Sequence, residues 1–207
     1  MISRVALITA TLILGVAVLL ASVVKASAIE YNFDQKPPSQ DSSYKPPVDI
    51  AYNLAYPGAI LPDNLLWPFK VVRDKMWLGL TFNPVRKSEL LLLMADKRLA
   101  ASEILFKKGK SSLATSVLTK AEKYLDQAAE EERIAVAQKK DTSVLLGKIS
   151  MSSLKHRQVI DELMAYAPED AKPRIIETQN YSKNAFTQVR NRLLEIGVVA
   201  PKNPFNN

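Results

Sequence analysis

Residue types that could do chemistry are few in this chain. It contains no cysteine and one histidine, His156. Disulfides, thiol nucleophiles and thiolate metal sites are therefore excluded, and so is a histidine-rich zinc site. His156 lies on the apolar stripe of a predicted helix between Lys155 and Arg157. Burial and two cationic neighbours are expected to lower its pKa and keep it neutral near pH 7, which favours a structural histidine, with a pH-sensitive switch as the alternative.

The acidic clusters are weak candidates for a metal site. Residues 130–132 are three consecutive glutamates. Consecutive residues of a helix point about 100° apart, so these carboxylates cannot converge on one ion, and we expect a solvated face that pairs with Lys or Arg. The acidic pairs 161–162 and 169–170 flank a turn at Pro168. Oxygen ligands there could meet a divalent cation, but acidic residues at a helix start explain the second pair without a metal.

Motifs of known chemistry are missing from the sequence. It has no phosphate-binding glycine loop, no nucleophile elbow and no HExxH segment. We therefore predict a protein that is not an enzyme, with no catalytic residues, no cofactor and no bound metal.

The elements that position these residues are predicted to be helices. Apolar residues recur at alternating spacings of three and four through residues 83–109, 111–140, 141–167 and 169–197, and each stretch is bounded by Asn, Ser, Pro, Lys or Gly. Short connections between long helices favour antiparallel neighbours. Residues 58–197 therefore predict an all-α domain, an up-and-down bundle of about four long helices with packing of the coiled-coil type.

A short amphipathic helix precedes the bundle. It begins at Pro68 and ends near Gly79 or Thr81, and its apolar face comprises Phe69, Val72, Met76 and Leu80. Packing of this face on the bundle is the preferred interpretation. The alternative is a helix that lies in a membrane interface, because bulky apolar side chains alternate with cations. The residues that would act there are Trp67, Phe69, Lys70, Arg73 and Trp77.

Residues 1–28 have the pattern of an export segment. Arg4 precedes an uncharged run over residues 5–24, and residues 26–28 read Ala-Ser-Ala, the sequence of a signal-peptidase site. The run has the length of a transmembrane helix, and Lys25 lies close to the cut, so an uncleaved anchor is the alternative to a signal peptide cleaved at Ala28. The positive flank places everything after Lys25 outside the membrane. We expect an extracytoplasmic protein, either anchored or released.

The segments on either side of the bundle lack periodicity. Residues 29–57 are rich in Pro and Ser, which predicts an extended linker that acts as a spacer. Residues 198–207 contain two prolines and predict a flexible tail.

Three segments in the first third of the bundle carry a family resemblance. They are LPDNLLWPFK at residues 61–70, NPVRKSEL at residues 83–90 and ADKRLA at residues 95–100. Their order resembles a bacterial family of exported or membrane-anchored helical domains of unknown function with the signature LPxxxLYPxK, D/NPxxKxEL and LAxKRLxE. Trp67 stands where Tyr is commoner, and Asn83 where Asp is commoner. The resemblance implies an extracytoplasmic helical domain and no agreed activity.

Charge suggests the class of partner. The net charge is +7, or +5 once residues 1–28 and their two cations are removed, which gives weak, salt-sensitive attraction to anionic surfaces. We predict an exported, non-catalytic helical module at the outer side of a bacterial membrane that binds a protein or an anionic envelope component, with no nucleic acid. The expected interaction surface comprises Lys97, Arg98, Lys107, Lys108 and Lys110. The alternative is an extracytoplasmic sensor or stress protein whose bundle responds to a ligand, an ion or pH, because several inward positions are small or polar.

Overall fold

The computed structural model describes residues 2–26, 29–38 and 48–205, and the regular secondary structure within these ranges is entirely helical. The helices are α1 (Ile2–Ala26), α2 (Trp67–Leu80), α3 (Pro84–Lys107), α4 (Ser111–Ala137), α5 (Ser143–Leu163), α6 (Lys172–Thr178) and α7 (Asn180–Glu195). The predicted all-α fold and helical bundle are confirmed.

Helices α3, α4, α5 and α7 form the bundle. The Ser88 hydroxyl near the start of α3 donates to the Ala128 carbonyl near the end of α4 (2.7 Å), so these two helices are antiparallel. Glu132 and Glu122 of α4 contact Thr142, just before α5, and His156, within α5, so the contacts run in opposite directions along the two helices and this pair is antiparallel as well. The core is largely apolar, with some polar and charged side chains buried among the apolar ones. Its largest fully buried side chains include Leu99, Leu105, Phe106, Leu118, Leu125, Leu146, Ile149 and Ile160.

Helix α3 begins and ends at the residues that the sequence indicates. The Asn83 side chain accepts a hydrogen bond from the Val85 N–H (3.0 Å), which caps the helix start. At the other end Gly109 has a φ of +72°. The Lys110 N–H reaches the Leu105 carbonyl (2.9 Å), and this closure requires a left-handed residue at Gly109.

The last predicted helix is two helices, α6 and α7, so the prediction of one continuous helix over residues 169–197 is wrong. The interruption is one residue, Gln179, whose own backbone angles stay helical. The cause lies one turn later, where the Ser182 N–H donates to Oε2 of Glu122 on α4 (3.1 Å). In an uninterrupted helix that N–H would bond to the Thr178 carbonyl.

The segment predicted as a spacer packs against the bundle wherever it is described. We call residues 29–38 and 48–57 the strap. The Tyr31 hydroxyl accepts a hydrogen bond from Arg174 (2.9 Å), and the Ile50 N–H donates to the side chain of Gln158 (2.8 Å). A free spacer is therefore the wrong description of these residues. Residues 39–47, which include the second proline pair, lie outside the described residues.

The predicted loose tail also contacts the bundle. The Arg157 guanidinium lies 4.5 Å from the centre of the Phe205 ring and donates to the Asn203 side chain (3.3 Å). Stacking and a hydrogen bond thus hold residues 203–205 on α5.

The N-terminal segment is helical from Ile2 to Ala26 and contacts α2. Ser27 and Ala28, the end of the predicted cleavage site, lie outside the described residues. Among the helices of the described ranges, none has both the length and the apolar character that crossing a membrane requires. Cleavage, anchoring and export stay predictions.

Candidate functional site

Helix α2 touches the bundle through a narrow and partly polar face. Only Val71 and Asp74 of its residues are buried. Asp74 lies 3.9 Å from the buried Arg98 guanidinium and pairs with Arg73 at 2.7 Å. Because a buried carboxylate needs a cation, the pairing of Asp74 with Arg98 fixes which side of α2 faces inward.

The opposite side of α2 is apolar and exposed. Phe69 and Leu80 are each 70% exposed, so the preferred interpretation that this face packs on the bundle is wrong. Large apolar side chains continue the exposed region on both flanks of the helix. We define the α2 surface by the side chains that are more than half exposed: Leu65, Leu66, Phe69, Met76, Trp77, Leu80 and Phe82. Soluble proteins rarely leave such a contiguous apolar patch uncovered, and patches of this kind mark contact sites.

The five residues predicted for an interfacial helix divide between the two sides of α2. Phe69, Arg73 and Trp77 are exposed. Trp67 and Lys70 are half-buried, and the Lys70 amine donates to two loop carbonyls, at 2.7 and 3.0 Å, which ties residues 57–60 to the helix. Burial lowers the pKa of Lys70. The exposed three belong to the candidate site, and the other two support it.

The five cations predicted to form an interaction surface do not share one face. Lys107 pairs with Glu103 on its own helix (2.6 Å). Lys108 and Lys110 both contact Oδ2 of Asp63, at 3.1 and 2.8 Å. Hydrogen bonds from Lys110 and Lys108 lower the pKa of Asp63. These three lysines therefore pair with carboxylates locally, and two of them hold the loop before α2 in place.

Arg98, the fourth of these cations, is inside the protein. It is 5% exposed, and its guanidinium lies 4.5 Å from the Tyr124 ring centre and 5.9 Å from the Trp67 ring centre. Lys97, the fifth, is half-buried beside α2. The prediction of a common open surface is therefore wrong for Arg98.

His156 forms a buried ionic cluster with two carboxylates. Its Nδ1 lies 2.6 Å from Glu122 Oε1, and its Nε2 lies 3.1 Å from Asp96 Oδ1. His156 and Glu122 have no exposed surface, and Asp96 is 4% exposed. The cluster joins α3, α4 and α5 at one point. The ring itself is closed to solvent.

The remaining oxygens of the cluster also have partners. The Ser152 hydroxyl donates to Asp96 Oδ1, and the Tyr52 hydroxyl of the strap donates to Asp96 Oδ2, both at 2.7 Å. Glu122 Oε2 accepts the Ser182 N–H of α7 (3.1 Å). Burial, followed by the charge of Asp96, raises the pKa of Tyr52. Every carboxylate oxygen is thus satisfied, as buried charges require.

His156 is protonated at neutral pH, which contradicts the predicted neutral ring. Burial alone would lower its pKa, but Glu122 and Asp96 outweigh burial and raise the pKa to about 9. The sequence neighbours Lys155 and Arg157 act elsewhere, since Lys155 bonds to the Ile50 carbonyl and Arg157 to the tail. A ring that is already charged at pH 7 does not act as a switch between pH 5 and 7.

Glu132 forms a second buried ion pair. It has no exposed surface, and it lies 2.7 Å from Nε of Arg192 on α7 and accepts from the Thr142 hydroxyl at 2.6 Å. The expectation of a solvated glutamate face holds for Glu130, which pairs with Arg133 near the surface, but not for Glu132.

The acidic pairs near Pro168 are occupied by protein donors. Asp161 accepts a hydrogen bond from Gln179 (2.7 Å), and Asp170 accepts the Asp34 N–H of the strap (2.8 Å). Within the described ranges, no group of three or more His, Cys, Asp or Glu side chains is arranged to hold a metal.

Comparison with known proteins gives one match. The profile of a family described as "Domain of unknown function (DUF5667)" matches residues 59–195. No curated protein and no solved structure matches the chain significantly. The match confirms the resemblance to a domain of unknown function, whereas the order of signature segments and the export that the resemblance implies stay predictions.

Proposed function

The chain belongs to the DUF5667 family, whose function is unknown, and we propose that it is a non-catalytic helical module that acts at the outer surface of a bacterial membrane, where the α2 surface enters the lipid interface. Seven large apolar side chains, each more than half exposed on and beside one short helix, are the observation that carries this proposal. Arg73, two-thirds exposed, lies on the same side of the helix and suits an anionic headgroup.

The energy of such docking is modest. Full burial of a large apolar side chain contributes about 1.5–3 kcal/mol, and an interface buries these side chains only in part. Three side chains at about 1.5 kcal/mol each would give an affinity near 1 mM or slightly tighter. A single attachment of this strength is reversible, so stable residence requires a second attachment.

Residues 1–28 supply that second attachment in the proposal. Their uncharged run and positive flank are the basis for export and for the outward orientation. Helix α1 contacts α2, so the two apolar segments are neighbours. The net charge of +7 adds attraction to an anionic bilayer.

The two tryptophans of the chain allow a direct test in the full-length protein. Trp77 belongs to the α2 surface, whereas Trp67 is half-buried on the inward side of the same helix. Trp67→Phe leaves Trp77 as the fluorophore, and Trp77→Phe leaves Trp67. On vesicles of anionic lipid with brominated acyl chains, we expect Trp77 emission to shift to shorter wavelength and to be quenched, and Trp67 emission to change much less.

Controls separate docking through α2 from attachment by residues 1–28. Phe69→Ser combined with Leu80→Ser should reduce the quenching of Trp77, whereas Val144→Ser, at a 72% exposed position on α5, should not. Neutral vesicles should give weaker quenching than anionic ones. If Trp77 stays as accessible to aqueous iodide with anionic vesicles as without them, the α2 surface does not enter lipid and the proposal is refuted.

A further inference from the structure

A cleft of about 400 Å³ opens between α2, α3 and α4. Trp67, Val71 and Lys75 line it from α2, and their spacing of four places them on the side of the helix opposite to Phe69 and Leu80. The cleft is therefore separate from the α2 surface. Its volume lies within the range of about 300–1,000 Å³ that is typical of small-molecule sites.

The charge of this cleft is of one sign. Four cations line it, Lys75, Arg98, Lys120 and Lys123, and none of the described residues that line it is acidic. Mixed charge is the rule on protein surfaces, since like charges held together repel. Asp74, 3.9 Å from Arg98, offsets part of this charge, and the concentration of cations around one small volume still favours an anionic occupant.

Arg98 provides a buried donor without a partner. It is 5% exposed, and its Nε has no hydrogen-bond partner. The Asp74 oxygen that faces it is 3.9 Å away, while the other oxygen of Asp74 bonds to Arg73. Buried charged donors are normally satisfied, so the unpaired Nε of a residue that lines the cleft is a candidate partner for a ligand oxygen.

Lys120 provides the second donor. It is half-buried, and in the part of the chain that the structure describes its amine takes part in no hydrogen bond or ion pair. Burial first, and then the charges of Arg98 and Lys75, lower its pKa to about 8. An anion in the cleft would relieve this repulsion and favour the protonated amine.

The walls indicate what accompanies the anion. Trp67 and Tyr124 flank the Arg98 guanidinium, and both rings line the cleft. Several cations exceed the charge of one carboxylate, whereas a phosphate monoester carries up to two charges and three acceptor oxygens. Guanidinium and ammonium groups are the usual phosphate ligands in proteins.

We propose that this cleft binds the phosphate group of a phosphomonoester, with Arg98, Lys120 and Lys123 as its ligands and with Trp67 and Tyr124 against the apolar part of the molecule. The site goes beyond membrane docking and does not depend on it, because the two lie on opposite sides of α2. The phosphomonoester can be a water-soluble metabolite or a lipid headgroup, and the experiment distinguishes these sources.

Isothermal titration calorimetry on the full-length chain in neutral detergent tests the site with two probes. One is glycerol 3-phosphate, and the other is dihexanoyl phosphatidic acid at a concentration where it is monomeric, with detergent alone as the blank. Saturable binding of the first identifies a soluble phosphate ester, and binding of the second alone identifies a lipid headgroup. Both outcomes support the proposal.

Charge-matched variants show whether binding occurs in the cleft. Lys120→Gln should weaken binding of the probe about tenfold or more, because a charge-assisted hydrogen bond is lost. Lys148→Gln removes the same charge from an exposed position on α5 and should change affinity less than about twofold. Lys120→Gln should keep the melting temperature or raise it, since it relieves like-charge repulsion. No saturable binding of either probe, or an equal loss in both variants, would overturn the proposal.

Discussion

Raising the pH from neutral to alkaline should destabilise this protein through one residue. The pKa of His156 is about 9 in the folded chain and about 6.5 in an unfolded chain. Between these pH values the folded protein holds a proton that the unfolded chain has released, so stability falls as the pH rises. A difference of about 2.5 in pKa, at about 1.4 kcal/mol for each unit, gives about 3 kcal/mol. This stabilisation is complete below about pH 6.5 and is lost as the pH passes 9.

Lys120 changes the stability in the same pH range, but in the opposite direction. The pKa of Lys120 is lowered to about 8, so above pH 8 the folded protein has released a proton that the unfolded chain still holds, and stability rises. The comparison must therefore be made between two chains that share Lys120. His156→Gln is suitable, because glutamine cannot carry the charge. It leaves Glu122 and Asp96 buried without a cation, which should cost about 3–5 kcal/mol near neutral pH.

Urea denaturation at a series of pH values measures the effect. The gap in free energy of unfolding between wild type and His156→Gln should narrow by about 2 kcal/mol between pH 7 and 9. The wild-type value itself should fall by less than this, because the lowered pKa of Lys120 offsets part of the loss. NMR of the ring carbons gives the pKa directly, and because the chain has one histidine the signals need no assignment. A ring that titrates at or below pH 6.5, or parallel pH profiles of the two chains, would refute the reasoning.

Two further changes test the backbone features that shape the bundle. Gly147 lies inside α5, where an added Cβ meets nothing within 4 Å, so Gly147→Ala should stabilise the fold by about 0.5–1 kcal/mol. Gly109 has a φ of +72°, so Gly109→Ala should destabilise the fold by about 1 kcal/mol or more. Shifts of the melting temperature in the same direction for both variants would contradict this. Asn83→Ala removes the cap of α3 and should lower the free energy of unfolding by about 1 kcal/mol. Asn184→Ala, at an exposed position on α7, should leave the free energy of unfolding almost unchanged. A decrease of equal size in both variants would show that the cap contributes nothing.

The bundle could be predicted because its signals are local. Asn83 caps the helix that it precedes, and Gly109 ends the same helix, so each boundary depends on a few adjacent residues. The interruption at Gln179 could not be predicted in this way. It depends on Glu122, which is 60 residues from the N–H that it accepts.

The rotation of α2 was mispredicted for a related reason. Periodicity marks the face with Phe69 and Leu80 as apolar, and an apolar face is ordinarily the buried one. The deciding interaction is between Asp74 and Arg98, which belong to different helices and are both buried. A single sequence shows neither the pairing nor the burial.

The pKa of His156 was mispredicted because sequence neighbours are not spatial neighbours on a helix. Lys155 and Arg157 project about 100° to either side of it. The groups that contact the ring are 34 and 60 residues away, at Glu122 and Asp96. A polar residue on an inward stripe was the available signal, since Glu122 lies four residues after Leu118 and three before Leu125, which are both buried.

Buried ion pairs stabilise less than an apolar core of the same size, so a cluster such as that of His156 is better explained by the register it imposes. It fixes Asp96 of α3 opposite Glu122 of α4. Arg98 is two residues after Asp96, and Lys120 is two residues before Glu122, and residues two apart on a helix point to nearly opposite sides. Both cations line the cleft, so the register that aligns α3 with α4 at the two carboxylates also fixes the distance between the two cations. The cluster is buried, and it sets the spacing of the charges in the cleft under α2.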